Sequence, residues 1–222
     1  LLFSVFEELN GKKGAIQTYP TKTLNFNELV ELYKSEANKI ESQIILNAPT
    51  KEAKDKLKSE RAYYTPYGTF SYRRDANILK HNSVVSIDID GLKNEEEAGA
   101  IRNQLAEHPS TLFALLSTRG KGVKAMMFVD GDITPEEQFN QLKHVFKPYL
   151  KEFLNIDAVK IDEAQFKLSQ PCYFSFDADM YVNAEAEPLQ LDFNYKEPTR
   201  KPFKAVNVPT SANTNIERYV LR

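Results

Sequence analysis

The chain has 222 residues, of which 41% are hydrophobic and 27% are charged, and its formal net charge at pH 7 is -2. This composition is typical of a globular domain with its own core, and it excludes a chain that binds nucleic acid through an overall positive field. The single cysteine, Cys172, excludes an internal disulfide, and the histidines at 81, 108 and 144 lack the spacing of zinc ligands. The opening residues are too few and too acidic for a membrane span or a signal peptide, so we expect a cytoplasmic protein with no membrane partner.

The N-terminal third predicts a hairpin and two helices. Two short apolar runs flank "NGKKG" and indicate a hairpin over residues 1–20. The charged segment "APTKEAKDKLKSER" predicts a second helix that starts near Pro49 and Thr50. Before it, apolar residues at helical spacing predict one amphipathic helix: Leu29, Tyr33, Ala37, Ile40 and Ile44.

The rest of the chain predicts strands that alternate with helices. Residues 83–89 form an apolar strand, 92–110 a helix, 111–132 two strands around a short glycine loop, and 172–177 a further strand. A capping box from Thr134 to Glu137 starts another helix, which contains Pro148. The short loop implies an antiparallel pair. We therefore predict an α+β fold with a mainly antiparallel sheet.

Two aspartates, Asp88 and Asp90, lie at the end of the strand in "SVVSIDIDGL". Because side chains alternate along a strand, both carboxylates project to one face, about 7 Å apart. Mg²⁺ commonly binds through one or two carboxylates together with substrate phosphates. The alternative is a strand end whose aspartates are simply solvated.

A glycine loop, "STRGKGVK", follows as residues 117–124. Gly120 and Gly122 permit a tight turn whose N–H groups can receive an anion, and three cations lie within six residues. A triphosphate suits this loop, although a plain glycine hairpin with solvated basic residues has the same pattern. The candidate anion-binding residues are Ser117, Arg119, Gly120, Lys121, Gly122 and Lys124.

Two further groups of residues are candidates. A third carboxylate would complete a metal site, and Asp162 in "IDEAQ" is the candidate, with Asp157 as a competitor. Arg73 and Arg74 follow a tyrosine cluster that includes Tyr64, and aromatic rings beside arginines can stack bases and hold phosphates. Core packing of these rings is the alternative.

The order of these motifs resembles the archaeo-eukaryotic primase, or primase-polymerase, superfamily. It is similar in particular to the VirE N-terminal type of domain found in bacterial mobile elements, over roughly residues 20–190. The resemblance rests on a strand that ends in D-x-D, then S-x-x-G-x-G-x-K between two strands, then "ID" before a serine-containing strand.

The resemblance implies a DNA primase or polymerase domain in which Asp88, Asp90 and Asp162 are catalytic and hold Mg²⁺ or Mn²⁺. The loop from Ser117 to Lys124 would hold the nucleoside triphosphate, and single-stranded DNA would be the template. Lys124 stands where the wider superfamily often has histidine, and Gln170 stands at an expected arginine.

The implied fold is an RRM-like sheet joined to an N-terminal α/β subdomain. We expect the domain to span residues 1–190, with possible subdomains at about 1–80 and 81–190. Residues 191–222 would be a polar linker to a C-terminal helicase or other replication module.

Three other functions fit the sequence. The domain could bind nucleotide or single-stranded nucleic acid without catalysis, which Gln170 and the acidic pI favour. A metal-dependent glycosyltransferase also uses D-x-D, but it requires a parallel nucleotide-binding sheet ahead of the motif. A structural adaptor with incidental carboxylates would hold the three aspartates far apart.

Overall fold

A computed structural model describes residues 1–131, 136–157 and 160–191, apart from the side chains of residues 136–138, 140 and 141. The described residues form ten strands and five α-helices. The strands are β1 (Leu2–Phe6), β2 (Lys22–Asn25), β3 (Tyr63–Thr65), β4 (Gly68–Phe70), β5 (Ile78–His81), β6 (Val84–Ile89), β7 (Thr111–Leu116), β8 (Val123–Phe128), β9 (Cys172–Tyr173) and β10 (Tyr181–Val182). The helices are α1 (Phe26–Lys34), α2 (Glu36–Asn47), α3 (Lys51–Ser59), α4 (Glu95–Ala106) and α5 (Glu136–Leu154).

The strands form two four-stranded sheets and one two-stranded ribbon. The first sheet has the order β2-β1-β3-β9, the second has the order β10-β7-β8-β6, and β4 pairs with β5. Every pair of these strands is antiparallel, so the predicted α+β class with antiparallel sheets is confirmed. The first sheet takes β9 from far along the chain, and one hydrophobic core extends across both four-stranded sheets.

The predicted first helix is two helices, because the chain breaks at Ser35. The Ser35 backbone N–H donates to the Leu32 carbonyl at the end of α1, and its hydroxyl accepts from the Asn38 N–H at the start of α2. The break changes the face that α2 buries. Ile40 and Ile44 are 49% and 53% exposed, so their predicted place on a shared apolar face is wrong.

A buried arginine explains why α2 packs through polar side chains. Arg61 is 6% exposed and donates to the Asn38 side-chain oxygen and, at 3.1 Å, to the Ser42 hydroxyl. The Asn38 amide in turn donates to the Ser175 carbonyl at 2.9 Å. Because buried polar groups require partners, these hydrogen bonds fix α2 with Asn38, Ser42 and Ile45 inward and with Ile40 and Ile44 outward. They also connect α2 to the chain after β9.

Tyrosine side chains join the two sheets. The Tyr33 hydroxyl donates to the Tyr64 hydroxyl at 3.1 Å, and both rings are buried. The Tyr67 hydroxyl donates to the Gln165 carbonyl at 2.6 Å and accepts from the Ser86 N–H of β6. These contacts hold the end of β6 against the segment that follows residue 160.

The predicted glycine hairpin is confirmed as β7 and β8, and the predicted strand before it is β6. Helix α5 continues through Pro148, while Thr134 of its predicted capping box lies outside the described residues. The predicted linker after residue 191 also lies outside them. In the part of the chain that is described, no helix is both long and apolar enough to cross a membrane.

Candidate active site

The centre of the candidate site is a buried ion pair between β6 and β8. Asp88 and Lys124 are opposite each other in the strand register, 7% and 5% exposed. The Lys124 Nζ donates to Asp88 Oδ2 at 2.5 Å. The other carboxylate oxygen, Asp88 Oδ1, is buried and has no hydrogen-bond partner. A buried oxygen without a partner is costly, so Asp88 Oδ1 is suited to a cationic ligand.

The second carboxylate, Asp90, lies just beyond β6 in the same cleft. Desolvation raises the pKa of Asp90, and the negative charge of Asp88 raises it further. Lys124 and Lys58 act in the opposite direction. Burial lowers the pKa of Lys124, but the carboxylate of Asp88 more than offsets this, and the net pKa is raised. The site therefore holds two carboxylates whose mutual repulsion only cations relieve.

The β7–β8 loop lies against the end of β6. The Ser117 N–H donates to the Gly122 carbonyl at 2.8 Å, and Gly120 has a φ of 69°, which favours glycine. A Cβ at Gly122 would lie 2.6 Å from the Ile89 carbonyl oxygen and 3.0 Å from Asp90 Oδ1. The loop and the aspartates are therefore together, as the sequence predicts. Glycine at 122 is required by this close approach.

A narrow cleft contains the two aspartates and several cations. Of the predicted loop residues, Ser117, Arg119 and Lys124 line it, whereas Lys121 is exposed outside it. Two lysines of α3, Lys54 and Lys58, also line it and were not among the residues predicted from the sequence. The complete lining is Ile45, Lys54, Asp55, Lys58, Asp88, Asp90, Ser117, Thr118, Arg119, Lys124 and Ser175.

Helix α3 places two lysines in the cleft, because their spacing puts them on one face of the helix. Lys54 and Lys58 are four residues apart, which places them on one face of the helix. Arg119 of the loop contacts Asp55 Oδ1 at 3.8 Å, an exposed ion pair that spans the cleft. The sequence shows the i,i+4 spacing of the two lysines. It does not show that α3 packs beside the cleft.

Asp162 reaches the site through its backbone. Ile161 forms an antiparallel bridge with Ile89. On one side of the bridge, the Asp162 N–H donates to the Asp88 carbonyl at 2.9 Å. On the other side, the Asp90 N–H donates to the Lys160 carbonyl at 2.9 Å. The segment is therefore beside β6, as predicted. The Asp162 carboxylate, however, accepts from the Ala164 N–H at 2.9 Å and begins a 3₁₀ turn.

This arrangement corrects the predicted three-carboxylate metal site. Within residues 1–131, 136–157 and 160–191, no group of three or more His, Cys, Asp or Glu side chains is placed to hold a metal ion. Asp88 Oδ1 and Asp90 still offer hard oxygen ligands, which suit Mg²⁺ or Mn²⁺ when phosphate oxygens complete the coordination. The described residues thus fit a cation that is shared with a ligand, but not one held by protein alone.

The predicted nucleic-acid residues are in different environments. Tyr64 is 0% exposed in the core, so its ring cannot stack on a base and that prediction is wrong. Arg73 donates to the Ala15 carbonyl at 2.8 Å and lies over the Tyr63 ring. Arg74 is exposed.

Arg74 lines a broad groove on the surface. Its lining carries three basic side chains against one carboxylate, and that carboxylate, Asp75, accepts from the Ser169 N–H at 3.0 Å. The groove is therefore locally basic although the chain is acidic overall. It is lined by Thr18, Tyr72, Arg73, Arg74, Asp75, Ala76, Ile78, His81, Lys167, Leu168 and Ser169.

The fold and the cleft define an α+β domain with a carboxylate pair facing basic side chains. Residues 56–182 match the family described as BT4734-like, N-terminal domain. The match covers more than half of the chain, and the chain belongs to this family. The matched range includes both aspartates, the glycine loop and Lys58, but not Lys54. No curated protein and no solved structure matches the chain.

Proposed function

We propose that this domain binds a nucleoside triphosphate with Mg²⁺ or Mn²⁺ and transfers the nucleotide to a nucleic-acid strand, as a primase-polymerase does. One observation carries the proposal. Asp88 Oδ1 is buried without a hydrogen-bond partner beside Asp90, in a cleft that Lys54, Lys58 and Arg119 also line. Two carboxylates and a set of cations are what a metal–triphosphate complex requires.

Each group has a distinct part in the transfer. Lys54, Lys58 and Arg119 bind the phosphates, and Asp88 and Asp90 hold the metal. When bound, the metal supplies positive charge that stabilises the α-phosphate and the leaving oxygen. The 3′-oxygen of the strand forms a bond to the α-phosphorus while the bond to the β-phosphate bridging oxygen breaks. Pyrophosphate leaves, and the hydroxyl proton passes to solvent.

The basic groove at Arg74 is suited to the template strand. It lies beside residues 167–169, and Asp162 at the cleft begins the same segment. The cleft and the groove are thus connected through one short segment of the chain, residues 162–169. Tyr72 at the groove offers a ring for stacking. We expect the cytoplasm as the compartment and a replication module, such as a helicase, as the partner.

A second candidate function is nucleotide binding without transfer. Two observations favour it. The Asp162 carboxylate is engaged as a helix cap, and Gln170 stands where the primase resemblance implies arginine. The glycosyltransferase alternative is disfavoured, because the strands of residues 1–82 pair antiparallel and offer no parallel sheet ahead of D-x-D.

Two measurements on one set of proteins test the proposal. The first is Mn²⁺-dependent binding of a fluorescent, non-hydrolysable nucleoside triphosphate, and the second is primer synthesis and extension on single-stranded DNA. The proteins are wild type, Asp90→Asn and the control Asp179→Asn, whose carboxylate is 82% exposed outside the cleft. We expect wild type and the control to bind and extend, and Asp90→Asn to lose both.

The results of the two assays distinguish nucleotidyl transfer from nucleotide binding alone. Binding without extension by wild type supports the binding-only function. No Mn²⁺-dependent nucleotide binding contradicts both functions. Equal behaviour of Asp90→Asn and wild type removes Asp90 from the site.

A further inference from the structure

The two oxygens of Asp88 have different partners, and this limits how many cations the site can hold. Oδ2 accepts from the Lys124 ammonium at 2.5 Å, whereas Oδ1 has no hydrogen-bond partner. In sites with two metal ions, the ions lie about 3.5–4 Å apart and are clamped by carboxylates between them. An ammonium on one oxygen leaves Asp88 a single oxygen for a metal.

Lys124 has little room to move away. It projects from β8, which is paired on both sides by β6 and β7, and it is 5% exposed. An isolated buried ammonium is costly, and Asp88 is the carboxylate opposite it in the register. The ammonium therefore stays on Oδ2 when a cation reaches Oδ1.

Three other described carboxylates in this region have partners of their own. Asp162 caps the turn that follows it. Lys160 binds Glu97 at 3.0 Å and so holds that carboxylate away. Of the three aspartates that line the cleft, Asp55 is ion-paired with Arg119, which leaves Asp88 Oδ1 and Asp90 for a metal.

We propose that the site takes one divalent cation, on Asp88 Oδ1 and Asp90, and that the ammonium of Lys124 occupies the place of a second cation. This inference rests on the proposed function and specifies the metal content of that site. Lys124 then supplies fixed positive charge where a two-metal enzyme uses an exchangeable ion. It acts as a positioning residue through Asp88.

The test counts metal ions and does not depend on turnover. Wild type and Lys124→Met are dialysed to equilibrium with Mn²⁺ and a non-hydrolysable nucleoside triphosphate, and the Mn²⁺ retained per chain is measured against a protein-free nucleotide blank. Methionine removes the charge and keeps a similar length. We expect one Mn²⁺ per chain for wild type and two for Lys124→Met, because Oδ2 is then free.

Two retained ions in wild type overturn the inference while leaving the proposed function intact. One ion in both proteins contradicts the role given to Lys124. No retained ion in wild type contradicts the proposed function itself. Thermal unfolding of each variant is measured first, and Lys124→Leu, which also has no donor for Oδ2 and the same expected count of two, replaces Lys124→Met if the latter does not fold. The wild-type count stands whichever variant is used.

Discussion

Removal of the Asp88 charge should destabilise the whole domain as well as the site. In Asp88→Asn, the Lys124 ammonium loses the carboxylate that it contacts at 2.5 Å. Its side chain is only 6% exposed, so water cannot take the place of the lost partner. The ammonium must then remain buried with Asp90 as its remaining counter-charge, or lose its proton.

The expected cost follows from this burial. Breaking a buried ion pair by removing one partner costs about 3–5 kcal/mol. A domain is stable by about 5–15 kcal/mol, so the variant loses a large share of its stability. Replacement of both partners, in Asp88→Asn with Lys124→Met, should recover most of the loss, because no uncompensated charge remains.

Urea denaturation of the four proteins in this double-mutant cycle measures the coupling. Asp179→Asn serves as the control, since its side chain is 82% exposed and we expect a change of about 0.5 kcal/mol or less. A loss below about 1 kcal/mol for Asp88→Asn would refute the reasoning, because the pair would then be solvated. Activity of an Asp88 variant has to be read beside this stability measurement.

Three further predictions concern the loop, the groove and the half-buried His108. Gly122→Ala should destabilise the domain by about 1–3 kcal/mol in urea unfolding, because the new methyl group meets a β6 carbonyl at 2.6 Å. Arg74→Ala with Lys167→Ala should weaken single-stranded DNA binding, and the slope of log affinity against log salt should fall by about 0.7 for each phosphate that the variant no longer neutralises. Burial lowers the pKa of His108, whose Nδ1 accepts from the Ser110 N–H at 3.1 Å. Neutral His108 therefore contributes stability above the unfolded pKa near 6.5, and this stability is lost as pH falls through the lowered folded pKa. His108→Asn should flatten that part of the plot of unfolding temperature against pH.

Each of these has a control. Gly99→Ala, in α4 with nothing within 4 Å of the new Cβ, should stabilise the domain by about 0.5–1 kcal/mol, and a loss equal to that of Gly122→Ala would contradict the steric argument. Lys51→Ala removes an exposed charge outside the groove, and an equal loss of DNA affinity would show that binding is not local. Identical pH profiles for wild type and His108→Asn would remove His108 from the acid response.

Local pattern was enough to predict the centre of the site. The D-x-D after an apolar run and the glycines at 120 and 122 identify β6 and the β7–β8 hairpin, because alternation and tight turns depend on near neighbours. The sequence order also predicted that the segment at Asp162 returns to β6. The sequence did not predict that the Asp162 carboxylate accepts a hydrogen bond from the Ala164 N–H, because this local contact depends on the conformation of the turn.

Tertiary packing determined the features that the local sequence pattern did not predict. Apolar spacing put Ile40 on a buried face, but the break at Ser35 and the buried Arg61 turn α2 so that its polar side chains face inward. Tyr64 is in a strand with every residue buried, so alternation did not reveal that its ring is inside. Lys54 and Lys58 needed the docking of α3 to become part of the cleft.

The short bridge at Ile161 has a consequence for any shortened form of this protein. Strand β6 is at the end of its sheet, and its outer backbone is covered by the bridge at Ile161 with its two flanking hydrogen bonds and by the Tyr67 hydroxyl at Ser86. A fragment that stops before residue 160 would bare this apolar strand, and open strands of that kind recruit other chains into aggregates. The bridge thus protects the protein from self-association at the same edge where it leaves the carboxylates open to a ligand.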